Sequence, residues 1–466
     1  MKQTLGHLYF VGITGHAMRG LAWATHELGY TVTGLDEPAT DPGASWVTEH
    51  GLKWTRDFKP EYLEGVTAII VTGAHVSDDA PVIVEARERE IPIKSYAQLV
   101  GELTTGAQVI AVGGTHGKTT TTSLITWLLD AAGRHPDYLV GIRPFNFDTN
   151  VRLTGAKIAV VEGDEYRASP LEQKSKLQYL HPDTLVLTNV EMDHPDFFAD
   201  IDAVKTRFRE IITALPKTGR LIVCNESHNA LEVAKAAPCD VITYSLHDGG
   251  DYQARDIAYL PAGIEFDVEA YGQNLGRVAV PLYGRHNVLN SLAATCAVLK
   301  SGLSLTDVIS GAEGFKGAYR RFNLLTDPDA SITVIDDYAH HPTEVAATLA
   351  AAKLHFEGRR IVAVFRPHTY SRTAALLPEY EQAFTSADEV FITDIEGARE
   401  AHLAHTVSGR DVADRAGANA HYSPSREALL HDLSANCKTG DVVVCMTVSG
   451  YEDVAGELAK QLNESA

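Results

Sequence analysis

The stretch Val109-Ile-Ala-Val-Gly-Gly-Thr-His-Gly-Lys-Thr-Thr-Thr-Thr122 decides the reading of this chain. Four apolar residues form a buried strand, two glycines make a turn, and a lysine followed by threonines opens a helix. Backbone N–H groups from Gly114 through Lys118 can surround phosphates at that helix start. The Lys118 ammonium can sit between β- and γ-phosphates, and the Thr119 hydroxyl can hold Mg²⁺. Gly114, Thr115, His116, Gly117, Lys118, Thr119 and Thr120 are therefore the expected nucleotide contacts. One departure stands out: the G-x-x-x-x-G-K-[ST] pattern would place its first glycine at position 112, where this chain has Val112.

Short β-branched runs alternate with helix-length segments on both sides of this stretch: His7 to Val11, Thr31 to Leu35, Ala68 to Val71, Ile158 to Val161, Thr184 to Thr188 and Leu221 to Cys224. A second set runs Ile332 to Asp336, Ile361 to Phe365, Glu389 to Thr393 and Asp441 to Met446. The alternation predicts an α/β protein with mainly parallel sheets covered by helices. With 466 residues, about three domains are expected. Their ranges are 1–105, 106–320 and 321–466: a Rossmann-like unit, a phosphate-loop ATPase-like unit and a second Rossmann-like unit. Between the strand sets, Asp251 to Pro281 alternates polar and apolar residues and predicts an antiparallel appendage on the middle domain.

Composition narrows the class further. With 40 Lys plus Arg against 61 Asp plus Glu, the net charge is −21, which disfavours nucleic acid and anionic lipid as partners and requires any phosphate to be held locally. The apolar runs are strand-sized, short of the about 18 to 20 residues that cross a bilayer. The start MKQTLGHLYFVGITGH turns directly into a strand and loop, so the protein is expected in the cytoplasm, as a monomer or homodimer. Five cysteines without a C-x-x-C pair read as reduced structural thiols.

The first loop, Val11-Gly-Ile-Thr-Gly-His-Ala-Met-Arg-Gly20, also follows a strand, and Asp36 ends the next strand 24 positions after Gly12. Thr14 occupies the second glycine position of G-x-G-x-x-G, a departure that works against close approach of a dinucleotide pyrophosphate; a nucleotide-diphosphate ligand with Asp36 near its ribose or base is the expectation. An NAD(P)-dependent oxidoreductase would use this loop but would leave the lysine loop without a task. A phosphate-loop regulator closing its domains around a partner is a further class.

Two more strands end in polar clusters, Val160-Val-Glu-Gly-Asp-Glu-Tyr166 and Leu187-Thr-Asn-Val-Glu-Met-Asp-His194. Strand ends on the phosphate-loop side are where α/β sheets place chemistry. Glu162 and His194 are candidate ligands for a second Mg²⁺, with Asn189 and Asp193 orienting them.

Gly114-Thr-His-Gly-Lys-Thr-Thr120, Glu162-Gly-Asp-Glu-Tyr166, Asn189-Val-Glu-Met-Asp-His194, Gly284-Arg-His-Asn-Val-Leu-Asn290, Tyr319-Arg-Arg-Phe322 and Asp336-Asp-Tyr-Ala-His-His-Pro-Thr-Glu344 follow one another in this order. Together they resemble the Mur ligase family across essentially the whole chain. The resemblance implies three domains binding, in turn, a UDP-sugar, ATP with two Mg²⁺, and an amino acid or peptide. ATP would phosphorylate a carboxylate and the amine would displace phosphate to form an amide. It further implies Lys118, Glu162, His194 and His340 as catalytic groups, and Thr119, Glu162 and His194 as metal ligands. Asn287, Asn290, Arg321 and Asp337 would be additional ATP contacts, and Gly12, Thr14, Gly15, His16 and Asp36 UDP-sugar contacts.

Two branches of the family fit. Phe365-Arg-Pro-His-Thr-Tyr-Ser-Arg-Thr373 is similar to the branch joining UDP-N-acetylmuramate to L-alanine. Asp164-Glu-Tyr-Arg-Ala-Ser-Pro-Leu-Glu-Gln-Lys-Ser-Lys176 is similar to the murein peptide ligases, which attach L-alanyl-γ-D-glutamyl-meso-diaminopimelate, a murein tripeptide. The peptide branch is the first expectation and the alanine branch its alternative. His368, Arg372 and Arg399 are the candidate amine-substrate contacts. Lys205 comes too early, and Arg209 stands near the expected place, for the carbamylated lysine of some relatives, so none is assigned.

Overall fold

The computed structural model describes residues 5–464 except 37–42, 73–75, 329, 399 and 449. Three sheets follow one another along the chain. The first has five parallel strands in the order Lys53–Thr55, Thr31–Leu35, His7–Val11, Ala68–Val71, Ile93–Ser95, a Rossmann-like half with helices on both faces. The second has ten strands, with Gln108–Gly113 flanked by Ile158–Glu162 and Thr184–Leu187, all parallel. The third has six, with Asn323–Leu324 antiparallel at one edge and Thr333–Asp337, Val442–Met446, Ile361–Phe365, Glu389–Ile392 and Ala420–Tyr422 parallel.

Helix-covered parallel strands are buried on both faces, which explains their unbroken apolar runs. Gln108–Gly113 is buried from Val109 onward. The expected antiparallel segment exists as Tyr252–Leu260, Gly263–Ala270 and Gln273–Val280. It is less an appendage than the edge of the central sheet, because Tyr252–Leu260 pairs in parallel with Asp240–Ser245. The inner face of this segment, Ile264, Phe266 and Val268, packs beneath the helix Arg285–Lys300.

The first two units share one core. Leu99 and Val100 of the helix Tyr96–Leu103 pack with Leu177 and Leu180 of the short helix Lys176–Leu180. Gly101 sits where any Cβ would meet the Tyr179 carbonyl, so this helix crossing requires glycine. The third unit docks through fewer contacts, among them Phe322 stacked on Tyr283 at 5.0 Å and the His355 ring accepting from the Gly284 N–H at 3.2 Å. The five cysteines are free thiols. Among the described residues no helix is long and apolar enough to cross a membrane.

Candidate active site

The loop after Gln108–Gly113 runs to Gly117, which caps the helix Lys118–Ala131 in the left-handed region at φ 80°. A Cβ there would fall on the Asn290 carboxamide, and one at Gly114, φ 127°, would fall on the Thr188 hydroxyl and the Asn189 backbone. Both glycines are thus demanded by close approach as well as by backbone conformation. Asn189 braces the loop, its carbonyl accepting from Thr115 N–H at 3.1 Å and its Oδ1 from His116 N–H at 2.8 Å. The Thr188 hydroxyl donates to the His116 carbonyl at 2.6 Å. Lys118 curls over this cradle, its Nζ donating to the carbonyls of Gly114 at 2.6 Å and Thr115 at 3.1 Å.

Carboxylates face the lysine. Asp164 and Glu165 each approach Nζ at 3.7 Å; burial works against the ammonium, but these acids outweigh it and keep Lys118 charged. Glu162 accepts from the Thr119 hydroxyl at 2.8 Å and from Gly141 N–H at 2.7 Å. Burial, and then the neighbouring Asp164, push its carboxyl above the ordinary range. A hydroxyl and a half-buried carboxylate crowded by Asp164 make a hard-oxygen donor set that suits Mg²⁺, whose charge would relieve the repulsion.

His194 and His340 stand further along the same cavity. His194 has φ 52°, lies 4.5 Å from the Tyr166 ring, and is pushed down to about 4 by burial, so it is a neutral imidazole able to ligate a metal. Glu162 and His194 line the same cavity. Beside His194, Asp193 accepts from Arg372 Nε at 2.7 Å, across the seam between the second and third units. Burial opposes the Asp193 charge, yet the Arg372 guanidinium holds it ionised. Arg372 Nη1 also reaches His368 Nδ1 at 3.1 Å. His340 lies 5.8 Å from His368 ring to ring, and burial keeps it neutral below its usual value. Its Nδ1 faces the Tyr338 carbonyl at 2.9 Å, leaving Nε2 as the free lone pair.

The cavity spans about 600 Å³ and is lined from both units. It brings together Thr115 through Thr120, Glu162, His194, Asn287, Asn290, Arg321, Asp337, His340, His368 and Arg372. Gly114 shapes the loop without lining it. Asn287 donates to the Tyr283 carbonyl and accepts from Asn290, one turn apart on the helix, so the pair seals the loop's far side. Arg320 and Arg321 diverge: Arg320 is buried against Asp336 and the Thr447 carbonyl, whereas Arg321 faces the cavity with its Nε lacking a hydrogen-bond partner among the described residues. Asp337 accepts from Phe322 and Ala339 N–H groups, both at 2.7 Å, and burial lifts its carboxyl to about 6.

Sequence reasoning missed a cluster over the loop. His116 Nδ1 lies 3.1 Å from Glu344, its Nε2 3.4 Å from Glu191, and its ring centroid 4.6 Å from that of His341. Burial disfavours the imidazolium, but the two carboxylates raise His116 to about 10. Glu344 lies in the quoted motif Asp336 to Glu344; the signal was there, but only the third dimension shows that it answers a histidine 228 positions earlier.

The first-loop candidates sit apart from this cavity. Asp36 accepts from Thr14 N–H at 2.8 Å and from the Thr14 hydroxyl, so the residue in the second glycine position is clasped by the acid expected at the ribose. Gly12 turns the chain at φ 83°, Gly15 precedes the helix His16–Leu28, and His16 contacts Arg19 at 2.9 Å. Arg399 lies outside the described residues.

Comparisons with known proteins agree with this geometry. The family description "Mur ligase family, catalytic domain" matches residues 7–108, "Mur ligase middle domain" 112–298, and "Mur ligase, glutamate ligase domain" 320–447. A UDP-N-acetylmuramate–L-alanine ligase of Desulfitobacterium hafniense is 36% identical over 94% of this chain and 96% of its own. One from Caldanaerobacter subterraneus is 34% identical over 97% of each. In structure, the UDP-N-acetylmuramate–alanine ligase of Thermotoga maritima superposes with TM-score 0.80 over 99% of this chain and 100% of its own at 23% identity, a likeness of fold. A murein peptide ligase of Psychrobacter arcticus gives 0.73 over 98% and 99% at 26% identity. The expected order of the two branches is thereby corrected: these relatives favour the alanine alternative over the tripeptide reading, because the Lys174-Ser-Lys176 stretch that suggested the peptide branch is one short segment against similarity along the whole chain. A phosphate cradle, hard-oxygen ligands and a third unit closing over both belong to one chemistry, and this chain is a member of the Mur ligase family, an ATP-dependent ligase that forms C–N bonds.

Proposed function

We propose that the enzyme joins L-alanine to UDP-N-acetylmuramate in peptidoglycan synthesis, consuming ATP in the presence of Mg²⁺. The observation that carries the choice of amine is the engagement of the two described candidates for peptide carboxylates. Arg372 is bound to Asp193 with both side chains buried, and His368 leans on Arg372. A tripeptide with several carboxylates would have to break that pair; a single alanine would not. The named relatives support the same choice.

In this reading the cradle from Thr115 to Thr120 and the ammonium of Lys118 hold the β- and γ-phosphates, with Arg321 offering a further cation from the third unit. Thr119, Glu162 and His194 would hold Mg²⁺. When bound, the metal supplies charge neutralisation as negative charge shifts from the γ-phosphate. The substrate carboxylate oxygen attacks the γ-phosphorus and the bond to ADP breaks, giving an acyl phosphate. The alanine nitrogen then attacks the acyl carbon and phosphate leaves with that carboxylate oxygen. Neutral His340 offers Nε2 for the proton released by the amine. Gly12, Thr14, Gly15, His16 and Asp36 are the proposed loop for the UDP moiety.

The direct test supplies ATP, Mg²⁺ and UDP-N-acetylmuramate with equimolar L-alanine and tripeptide. Consumption of alanine is expected; preferential consumption of tripeptide would restore the peptide branch.

A further inference from the structure

Lys176 opens the short helix that rests on the first unit, yet its ammonium reaches Asp164 and Tyr166, which line the active-site cavity. Its Nζ donates to Asp164 Oδ2 at 2.6 Å and contacts the Tyr166 hydroxyl at 3.3 Å, and it lies 4.9 Å from the Tyr166 ring centroid. The Tyr166 hydroxyl donates to the same Oδ2 at 2.9 Å. Asp164 therefore has one oxygen fully engaged, and only Oδ1 is turned to Lys118, at 3.7 Å, beyond hydrogen-bond reach. Lys176 is held from outside: Ser175 caps its helix, Gln178 completes the capping box, and Arg207 binds Gln178 Oε1 at 2.8 Å.

We propose that Lys176 is a positioning residue that occupies Asp164 and so keeps the Lys118 ammonium available to the nucleotide phosphates. In a buried setting an unpaired carboxylate takes the nearest cation. Without Lys176 that cation is Lys118, and a lysine locked to Asp164 is withdrawn from the γ-phosphate. The inference rests on Lys118 as the phosphate lysine, and so depends on the ligase reading in that respect alone.

The test measures binding of a nonhydrolysable ATP analogue with Mg²⁺ by calorimetry. Wild type should bind and Lys118→Ala should bind at least about tenfold more weakly; if it does not, the phosphate-lysine reading fails before Lys176 is judged. Given that control, Lys176→Met should weaken binding about 10- to 100-fold, the loss of about one or two hydrogen bonds to charged phosphate. Lys176→Arg should stay within about threefold of wild type. The decisive comparison removes the carboxylate: D164N and K176M/D164N should bind equally, because Lys176 acts only through Asp164. A purely structural lysine would weaken binding equally in both backgrounds, and that result would overturn the proposal, as would unaltered binding by K176M. The D164N comparison stands even if K176M alone does not fold.

Discussion

Arg372 Nε and Asp193 Oδ1 meet at 2.7 Å, with side-chain exposures of 6% and 8%, and they join a helix of the third unit to the loop that follows the strand Thr184–Leu187 of the second. Beside it Thr343 donates to Glu191 at 2.8 Å and His341 Nε2 meets the Met192 carbonyl at 3.1 Å. Polar contacts from the segment Glu191 to Asp193 thus add to the Phe322–Tyr283 stack and the His116–Glu344 contact in holding the third unit over the phosphate loop. Removing one partner of such a buried pair leaves the other charge stranded, which costs about 3 to 5 kcal/mol. Arg372→Ala should lower the denaturation midpoint and reduce turnover together. The double variant R372L/D193N should be less damaged in stability than the sum of the singles, which a double-mutant cycle in urea reads directly.

Gly117 admits no side chain, because its left-handed φ and the Asn290 carboxamide both exclude a Cβ. Gly117→Ala is expected to weaken ATP binding by at least about tenfold, corresponding to about 1 to 2 kcal/mol of left-handed strain plus displacement of Asn290. Circular dichroism should remain unchanged, since the strain is confined to the cap and the helix Lys118–Ala131 keeps its own residues.

Thr119 and Glu162 should set the divalent-metal requirement. Chelation of Mg²⁺ is expected to stop turnover. Glu162→Gln should cut kcat by about 10² or more, while Thr119→Val should shift the Mg²⁺ titration to higher concentration. A Mg²⁺ titration of the Thr119→Val variant that overlays the wild type would remove Thr119 from the metal site.

His116 and His341 give stability opposite pH arms. His116 is raised from 6.5 to about 10 by Glu191 and Glu344 against the penalty of burial, so its contribution is fully present below 6.5 and is lost as pH rises toward 10. His341 is lowered from 6.5 to about 4 by burial and by the charge of His116, so its contribution is present above 6.5 and is lost as pH falls toward 4. Urea midpoints should therefore fall on the alkaline side less steeply in His116→Gln, and on the acid side less steeply in His341→Gln. Buried His286 and His368, also lowered, leave part of the acid arm in place.

Local chemistry was legible in the sequence wherever a short segment carries its own instructions. The strand, glycines and lysine of Val109 to Thr122 announce their conformation, and so do the apolar runs of the parallel sheets. Three-residue strands such as Ile93–Ser95 and Asp137–Leu139 were not legible, because three residues carry no period and are placed by their neighbours. At the site, Thr119 with Glu162 was readable from type and position. The clasp of Asp36 on Thr14, the triad of Glu191, His116 and Glu344, and the divergence of Arg320 from Arg321 were not. Each depends on partners brought together by folding, and a lone acid or arginine pair reads equally well as a solvated surface.

The central claim, that ATP activates a carboxylate as an acyl phosphate, has one direct measurement. UDP-N-acetylmuramate labelled with ¹⁸O in its carboxylate is turned over with ATP, Mg²⁺ and L-alanine, and the released phosphate is analysed by mass. The account predicts one labelled oxygen in each phosphate formed and none in phosphate from the Lys118→Ala variant, which should make no product. Unlabelled phosphate accompanying full amide formation by the wild-type enzyme would contradict it.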